Sequence, residues 1–258
     1  MITASGVMGI AAYLGTAANI IINKSQILRG TLAIYILAIL SHGWLLYRSI
    51  DTPIGHNLNV ANLLSMSFWV AAIVLLIGLS RVSIQSLTAI FCTLCALTIS
   101  FVITSTNNNV IVQLPVGHTL HVLLAVASIS ISALTGLQAA IIALQTFLIK
   151  NKPMHRILNL LPSLEDNERL WHFFLKSTYI TISVMLISTK LTIAPKLSMW
   201  SDNKAIFALG SWLAFTWLVF MNKGYWYTSS TSKIWSIIAA LTLVFSYLGS
   251  KIFLSPLH

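Results

Sequence analysis

Charge is what this sequence has least of. Only 8% of its 258 residues are Asp, Glu, Lys or Arg, and just five of those are acidic. Soluble domains carry about 25% charged residues, so no segment of the chain has the composition of one. The five carboxylates, Asp51, Glu165, Asp166, Glu168 and Asp202, fall between the apolar runs. That excludes a transmembrane proton relay built on Asp or Glu. Cysteine is almost missing too. Cys92 and Cys95 form one Cys-Thr-Leu-Cys pair inside an apolar run, which is no secreted disulfide framework. An intact helix is an awkward geometry for bridging them, and they read as small packing residues. No Cys-x-x-Cys-His occurs, so covalent haem attachment is excluded. Nor is there a His-Glu-x-x-His, a phosphate loop or a nucleophile elbow. Internal sequence repeats and low-complexity tracts are absent as well.

What the chain has in abundance is apolar length. Hydrophobic residues make up 57% of it, and the mean hydropathy is +0.87. A hydrocarbon layer about 30 Å thick takes roughly 20 residues of helix. Eight stretches meet that length, near 2–22, 27–47, 58–79, 83–104, 119–149, 170–189, 205–222 and 234–254. The expectation is an all-α, polytopic membrane helix bundle of about eight transmembrane helices, forming a single integral membrane domain over 1–258. Lys24 and Arg29 follow the first apolar run, which reads as an uncleaved helix. The fifth run is too long for a simple crossing and is expected to tilt or protrude.

The net charge of +10 comes from basic residues between the runs, where they set topology and touch anionic lipid rather than nucleic acid. Nine of them (Lys24, Arg29, Arg81, Lys150, Lys152, Arg156, Arg169, Lys223 and Lys233) fall on one side. Five (Arg48, Lys190, Lys196, Lys204 and Lys251) fall on the other. The nine-residue side is therefore expected to be cytoplasmic, with both termini outside. The linker 153–168 reads as a solvated loop that caps a helix, with a short interfacial helix of His155, Ile157, Leu158, Leu160 and Leu161 stopped by Pro162 as the lesser alternative; Glu165, Asp166 and Glu168 lead into the sixth span.

On that topology five of the seven His lie on the outer side: His42, His56, His118, His121 and His258. His118 and His121 are three residues apart at the start of the fifth span, so they share a helix face. Neutral imidazoles can take the axial positions of a haem iron. Trp44, Trp69, Trp200 and Trp212 offer flat apolar surface on the same side. Near the third span, capping accounts for Asn57 and Asn59, while Asn62 is expected to hydrogen-bond a neighbouring helix.

Taken together, these residues resemble the cytochrome c assembly superfamily of CcsA/CcmC-like membrane haem handlers, and most closely its small YpjD/HemX-like branch. The resemblance is strongest over 41–254. It rests on Ser41-His42-Gly43-Trp44-Leu45-Leu46-Tyr47, on Asn57-Leu58-Asn59, and on His121-Val122-Leu123-Leu124-Ala125. Leu160-Leu161-Pro162-Ser163-Leu164 with Glu168, Asn203-Lys204-Ala205-Ile206-Phe207-Ala208-Leu209 and Tyr247-Leu248-Gly249-Ser250-Lys251 complete it. The chain departs from the full assembly proteins where Trp200-Ser201-Asp202-Asn203-Lys204 replaces their tryptophan-rich loop.

The resemblance implies a non-enzymatic inner-membrane protein that binds haem transiently and non-covalently at the outer face. His121 supplies one axial nitrogen on this reading, and His258 or His118 the other. Trp200 and Trp212 pack on the macrocycle, and His42 either assists passage through the bundle or bonds a neighbouring helix. Its partners are the lipid bilayer, haem and other cytochrome assembly components, with no nucleic acid. The alternative is an accessory or regulatory membrane subunit that holds no haem, tuning tetrapyrrole synthesis or serving a cation-efflux partner.

Overall fold

The computed structural model describes residues 2–23, 29–78, 82–105, 111–113, 116–151, 158, 161–192, 203–220 and 230–254. Its helices divide between two compact units, 1–114 and 115–258. Unit 1 holds α1 (Ile2–Ile22), α2 (Arg29–Ile50), α3 (Val60–Gly78) and α4 (Val82–Thr104). There α1 packs on α2 and α4, and α3 packs on the same two, closing a ring of four. Unit 2 holds α5 (Val116–Asn151), α6 (Leu164–Thr192), α7 (Asn203–Phe220) and α8 (Ser230–Leu254). It repeats the pattern, with α5 and α7 each packed between α6 and α8. Consecutive helices are neighbours in both, as short connections between antiparallel helices require. The duplicated architecture is invisible in the sequence because the two halves fill their cores with different residues.

The helix boundaries follow local chemistry. Asn59 caps α3, its Oδ1 accepting the backbone N–H of Asn62 at 2.8 Å. Ser163 caps α6: its Oγ accepts the Asp166 N–H at 3.2 Å and donates to that residue's carboxylate at 2.6 Å. This is a reciprocal cap of the kind that satisfies orphan donors in a first helical turn. Helix α6 consequently starts at Leu164. Glu165, Asp166 and Glu168 thus lie inside the helix rather than in the linker, where the acidic groups also oppose the positive end of its dipole. Of the interfacial helix that was the lesser alternative for that linker, His155, Ile157 and Leu160 lie outside the described residues. At the other end of unit 1 a small sheet forms from β1 (Asp51–Thr52), β2 (Gly55–Asn57) and β3 (Ile111–Val112), all antiparallel. It ties the α2–α3 connection to the chain following α4. Asn62 donates to the Ser49 carbonyl of α2 and to the Asn57 carbonyl, so Asn62 does bond a neighbouring helix.

Among the described residues six helices are long and apolar enough to cross a bilayer, α1 through α6. The apolar stretches of α7 and α8, Ala205–Phe220 and Ser230–Ser246, are shorter. Large apolar side chains such as Leu40, Ile77, Phe147 and Ile187 stand exposed on the helix surfaces, which suits lipid contact and not water. The interiors are mainly apolar but also take in many hydroxyls. Thr16, Ser65, Thr88, Ser130, Thr135 and Thr178 are all buried. Several return their hydroxyl proton to a carbonyl one turn back, as Thr16 does to Ala12 and Thr88 to Ile84. That habit lets a hydroxyl sit in an apolar bundle at little cost. Cys92 and Cys95 are free thiols buried in the core of unit 1 with Tyr13, Tyr35 and Ile99, and Cys95 Sγ donates weakly to the Phe68 carbonyl at 3.6 Å. They pack as small residues.

Candidate functional site

His121 stands in the second turn of α5, half-buried against α6. Its Nδ1 lies 3.0 Å from Ser188 Oγ, with Thr189 Oγ1 farther off at 3.5 Å. Among the described residues no hydrogen bond reaches its Nε2. The ring is therefore held by one nitrogen and offers the other, the disposition by which protein imidazoles bind metals. His118, one turn toward the start of α5, is also half-buried. Three residues apart on one helix, the two rings stand about one turn apart on the same side of α5. The structure thus brings this pair together. His258 and Trp200 lie outside the described residues.

Trp212 of α7 docks on the same helix deeper in. Its indole N–H donates to Ser183 Oγ at 2.9 Å, and its ring stacks on Tyr179 with centroids 6.4 Å apart. Ser183 and Ser188 are five residues apart on α6, about 7.5 Å along the axis. Trp212 thus pins α7 to α6 below the level of His121.

His42 is a different kind of histidine. It is wholly buried in unit 1. Its Nδ1 meets Tyr13 Oη at 3.2 Å and its Nε2 meets Ser65 Oγ at 2.8 Å. Tyr13 lies on α1 and Ser65 on α3, so the ring joins three helices. Both nitrogens are engaged, and of the two roles expected for His42, bonding neighbouring helices is the one the contacts provide. Gly43 beside it gives room for Trp69, whose indole would lie only 2.9 Å from a Cβ placed there. Trp69 uses that room to donate to the Ile39 carbonyl at 2.9 Å, which locks α3 to α2. His56 sits in the small sheet, its Nδ1 3.8 Å from Asp51. Among the described residues no group of three or more His, Cys, Asp or Glu gathers as a metal cage.

One polar cluster was not foreseen. Lys233, in the first turn of α8, is 2% exposed. It donates to Glu168 Oε1 of α6 at 3.1 Å and stands 4.7 Å from the centre of the Trp171 ring. Trp171, fully buried, donates its indole N–H to Ser236 of α8 at 3.1 Å. Beside it runs an amide ladder. Gln138 donates to the Asn167 carbonyl and Oδ1, Asn167 to Gln145 Oε1, and Gln145 to the Pro162 carbonyl. Lys233 reads in the sequence as an ordinary loop cation. The available signal was its position: a cation at a helix N-terminus opposes the dipole, and the first turn of α8 has no acid of its own. Such a residue needs a partner on another helix.

No family model matches the chain, and neither a curated protein nor a solved structure matches it.

Proposed function

We propose that the chain is a multi-pass inner-membrane protein of the cytochrome c assembly type, which captures haem at the outer face, holds it briefly and releases it. The reading has eight spans with both termini outside, and no catalysed reaction. The observation that carries it is the half-buried His121 ring, anchored through Nδ1 with no hydrogen bond to Nε2 among the described residues. Haem is cargo here, and its iron supplies an open axial position for a nitrogen lone pair. His121 provides that nitrogen. His258, outside the described residues, is the donor proposed for the opposite face of the macrocycle, with Trp200 packing beside it; His118, on the same helix face as His121, is an alternative donor for the same face. A single well-held imidazole plus a loosely held one gives ligation weak enough to exchange, as a carrier requires. Trp212 supports the helix that orients His121.

The second reading, an accessory or regulatory subunit without haem, draws on His42. That ring is spent entirely on joining α1, α2 and α3, which is a structural use of histidine. Absorption spectroscopy of the detergent-purified chain with added haemin separates the two. The haem reading expects a Soret band that His121→Ala abolishes and added imidazole partly restores, while His42→Phe leaves it in place. A wild-type protein that binds no haemin, oxidised or reduced, overturns it in favour of the accessory subunit. Reporter fusions at Lys152 and at the C-terminus should report opposite compartments.

A further inference from the structure

The hydroxyl that holds His121 has a closer acceptor for its proton. Ser188 Oγ donates to the Met185 carbonyl one turn back at 2.7 Å, the shortest contact in this cluster. Thr189 Oγ1 donates to the same carbonyl at 3.0 Å and borders Met185 Sδ at 3.8 Å. A serine hydroxyl has one proton and two lone pairs. With the proton on Met185, the oxygen faces His121 as an acceptor, so the 3.0 Å contact is an Nδ1–H donating to Ser188 Oγ. A neutral imidazole carries one N–H, and placing it on Nδ1 leaves the lone pair on Nε2. Nε2 is the nitrogen that no described residue occupies.

We infer that Ser188 is a positioning residue that fixes the neutral His121 ring in its Nδ1–H tautomer and so presents an Nε2 lone pair to an incoming metalloporphyrin. The inference rests on the haem reading only for the identity of the incoming group; the tautomer is a property of the chain alone. Without the serine oxygen, the ring is free to carry its proton on Nε2, and a protonated Nε2 cannot bind a metal. The helix supplies the device at no extra cost in folding. The back-bonded serine already satisfies itself on Met185, and the same bond strips it of donor capacity toward the ring. Thr189, at the longer distance, is the reserve acceptor.

The test uses the full chain in detergent with 15N-labelled histidine at about pH 8, where an imidazole of ordinary pKa is neutral. The His121 signals are assigned by their loss in His121→Ala. In the haem-free protein, Nδ1 should resonate as a protonated nitrogen and Nε2 as an unprotonated one. Ser188→Ala combined with Thr189→Val should move both signals toward the opposite tautomer. Ser188→Thr, which keeps a back-bonding hydroxyl, should leave them in place. Ser188→Ala alone should give a partial shift, guarding against a double variant that fails to fold. Haemin titration supplies the second readout. The double variant should bind about 10- to 100-fold more weakly, the usual cost of losing an orienting partner, and Ser188→Thr should restore wild-type affinity. A wild-type His121 protonated on Nε2, or signals unmoved in the variants, overturns the inference. So does unchanged haemin affinity in the double variant. If the tautomer responds as expected but the wild type binds no haemin, Ser188 is still the tautomer-setting residue and only the haem reading falls.

Discussion

Each four-helix unit joins its helices through a histidine, and the two histidines are finished differently. In unit 1 the His42 ring is closed on both sides, by Tyr13 and by Ser65, and no part of it reaches the surface. In unit 2 the half-buried His121 ring is closed on one side by Ser188, and among the described residues no hydrogen bond reaches the other. The interiors differ in the same sense. Unit 1 is held by neutral contacts such as the Trp69 bond to Ile39 and the Tyr35 bond to Ala72 at 2.8 Å. Unit 2 buries a charged pair, Lys233 with Glu168, beside a ladder of amides. The lesson is that a buried polar group rigidifies a bundle when every valence is used, and that the proposed site lies where the described residues leave one over.

The sharpest way to break that contrast is to unpair the charge in unit 2. Glu168→Ala takes from the buried Lys233 the carboxylate it donates to, and removing one member of a buried pair costs up to about 3–5 kcal/mol. Thermal unfolding in detergent should show the loss, and adding Lys233→Met should recover much of it. If Glu168→Ala costs no more than a surface substitution, the two interiors are not different in kind.

Next in size is the closed histidine. His42→Phe orphans the Tyr13 and Ser65 hydroxyls, and leaving buried polar groups unsatisfied costs about 1–3 kcal/mol. Unfolding should register that cost while the haemin spectrum does not change. His121→Ala should do the reverse, sparing stability and removing the Soret band. A spectrum that follows His42 would erase the division of labour between the units.

A smaller effect separates the helix seams. A Cβ on Gly136 would lie 2.8 Å from the Ala240 Cβ, two groups fixed to their backbones, so α5 and α8 must part. Overpacking of this kind costs about 1–3 kcal/mol, and Ala240→Gly should relieve it. In unit 1, a Cβ on Gly6 meets side-chain atoms alone, Ile103 Cδ1 at 2.6 Å, its Cγ1 at 3.2 Å and Ile99 Cγ2 at 3.5 Å, and the closest of them is a flexible end that can turn aside. Gly6→Ala should therefore be much better tolerated than Gly136→Ala in the same unfolding assay. The smallest effect calibrates the first. Arg169 and Glu165 form an exposed pair at 3.1 Å on α6, so Arg169→Ala should change stability by only about 0.5 kcal/mol. Comparing it with Glu168→Ala isolates burial as the cause of the larger loss.

The helices were legible because lipid imposes a simple rule of apolar length, and the observed elements lie within a few residues of the expected runs except where caps extend them. Ser163 moves the start of α6 six residues earlier than the expected span, since a reciprocal cap satisfies the first turn in the linker's polar residues. The small sheet was not legible: two-residue strands carry no periodic pattern, and their pairing joins segments about 55 residues apart. His121 and His118 were legible as a pair from their spacing on one helix. Ser188 was not, because it lies 67 residues away on another helix, and one of many serines in an apolar run gives no sign of which ring it meets.

The sequence alone determined that this chain is an apolar, helical, multi-pass protein, because composition and run length act through the solvent and need no knowledge of neighbours. It also determined which ring types stand at the helix ends. Only the tertiary structure decided which nitrogens of those rings are engaged. Whether an imidazole keeps a free nitrogen depends on which hydroxyls the packing of α1, α3 and α6 brings within about 3 Å of it, and on where those hydroxyls have already spent their single proton.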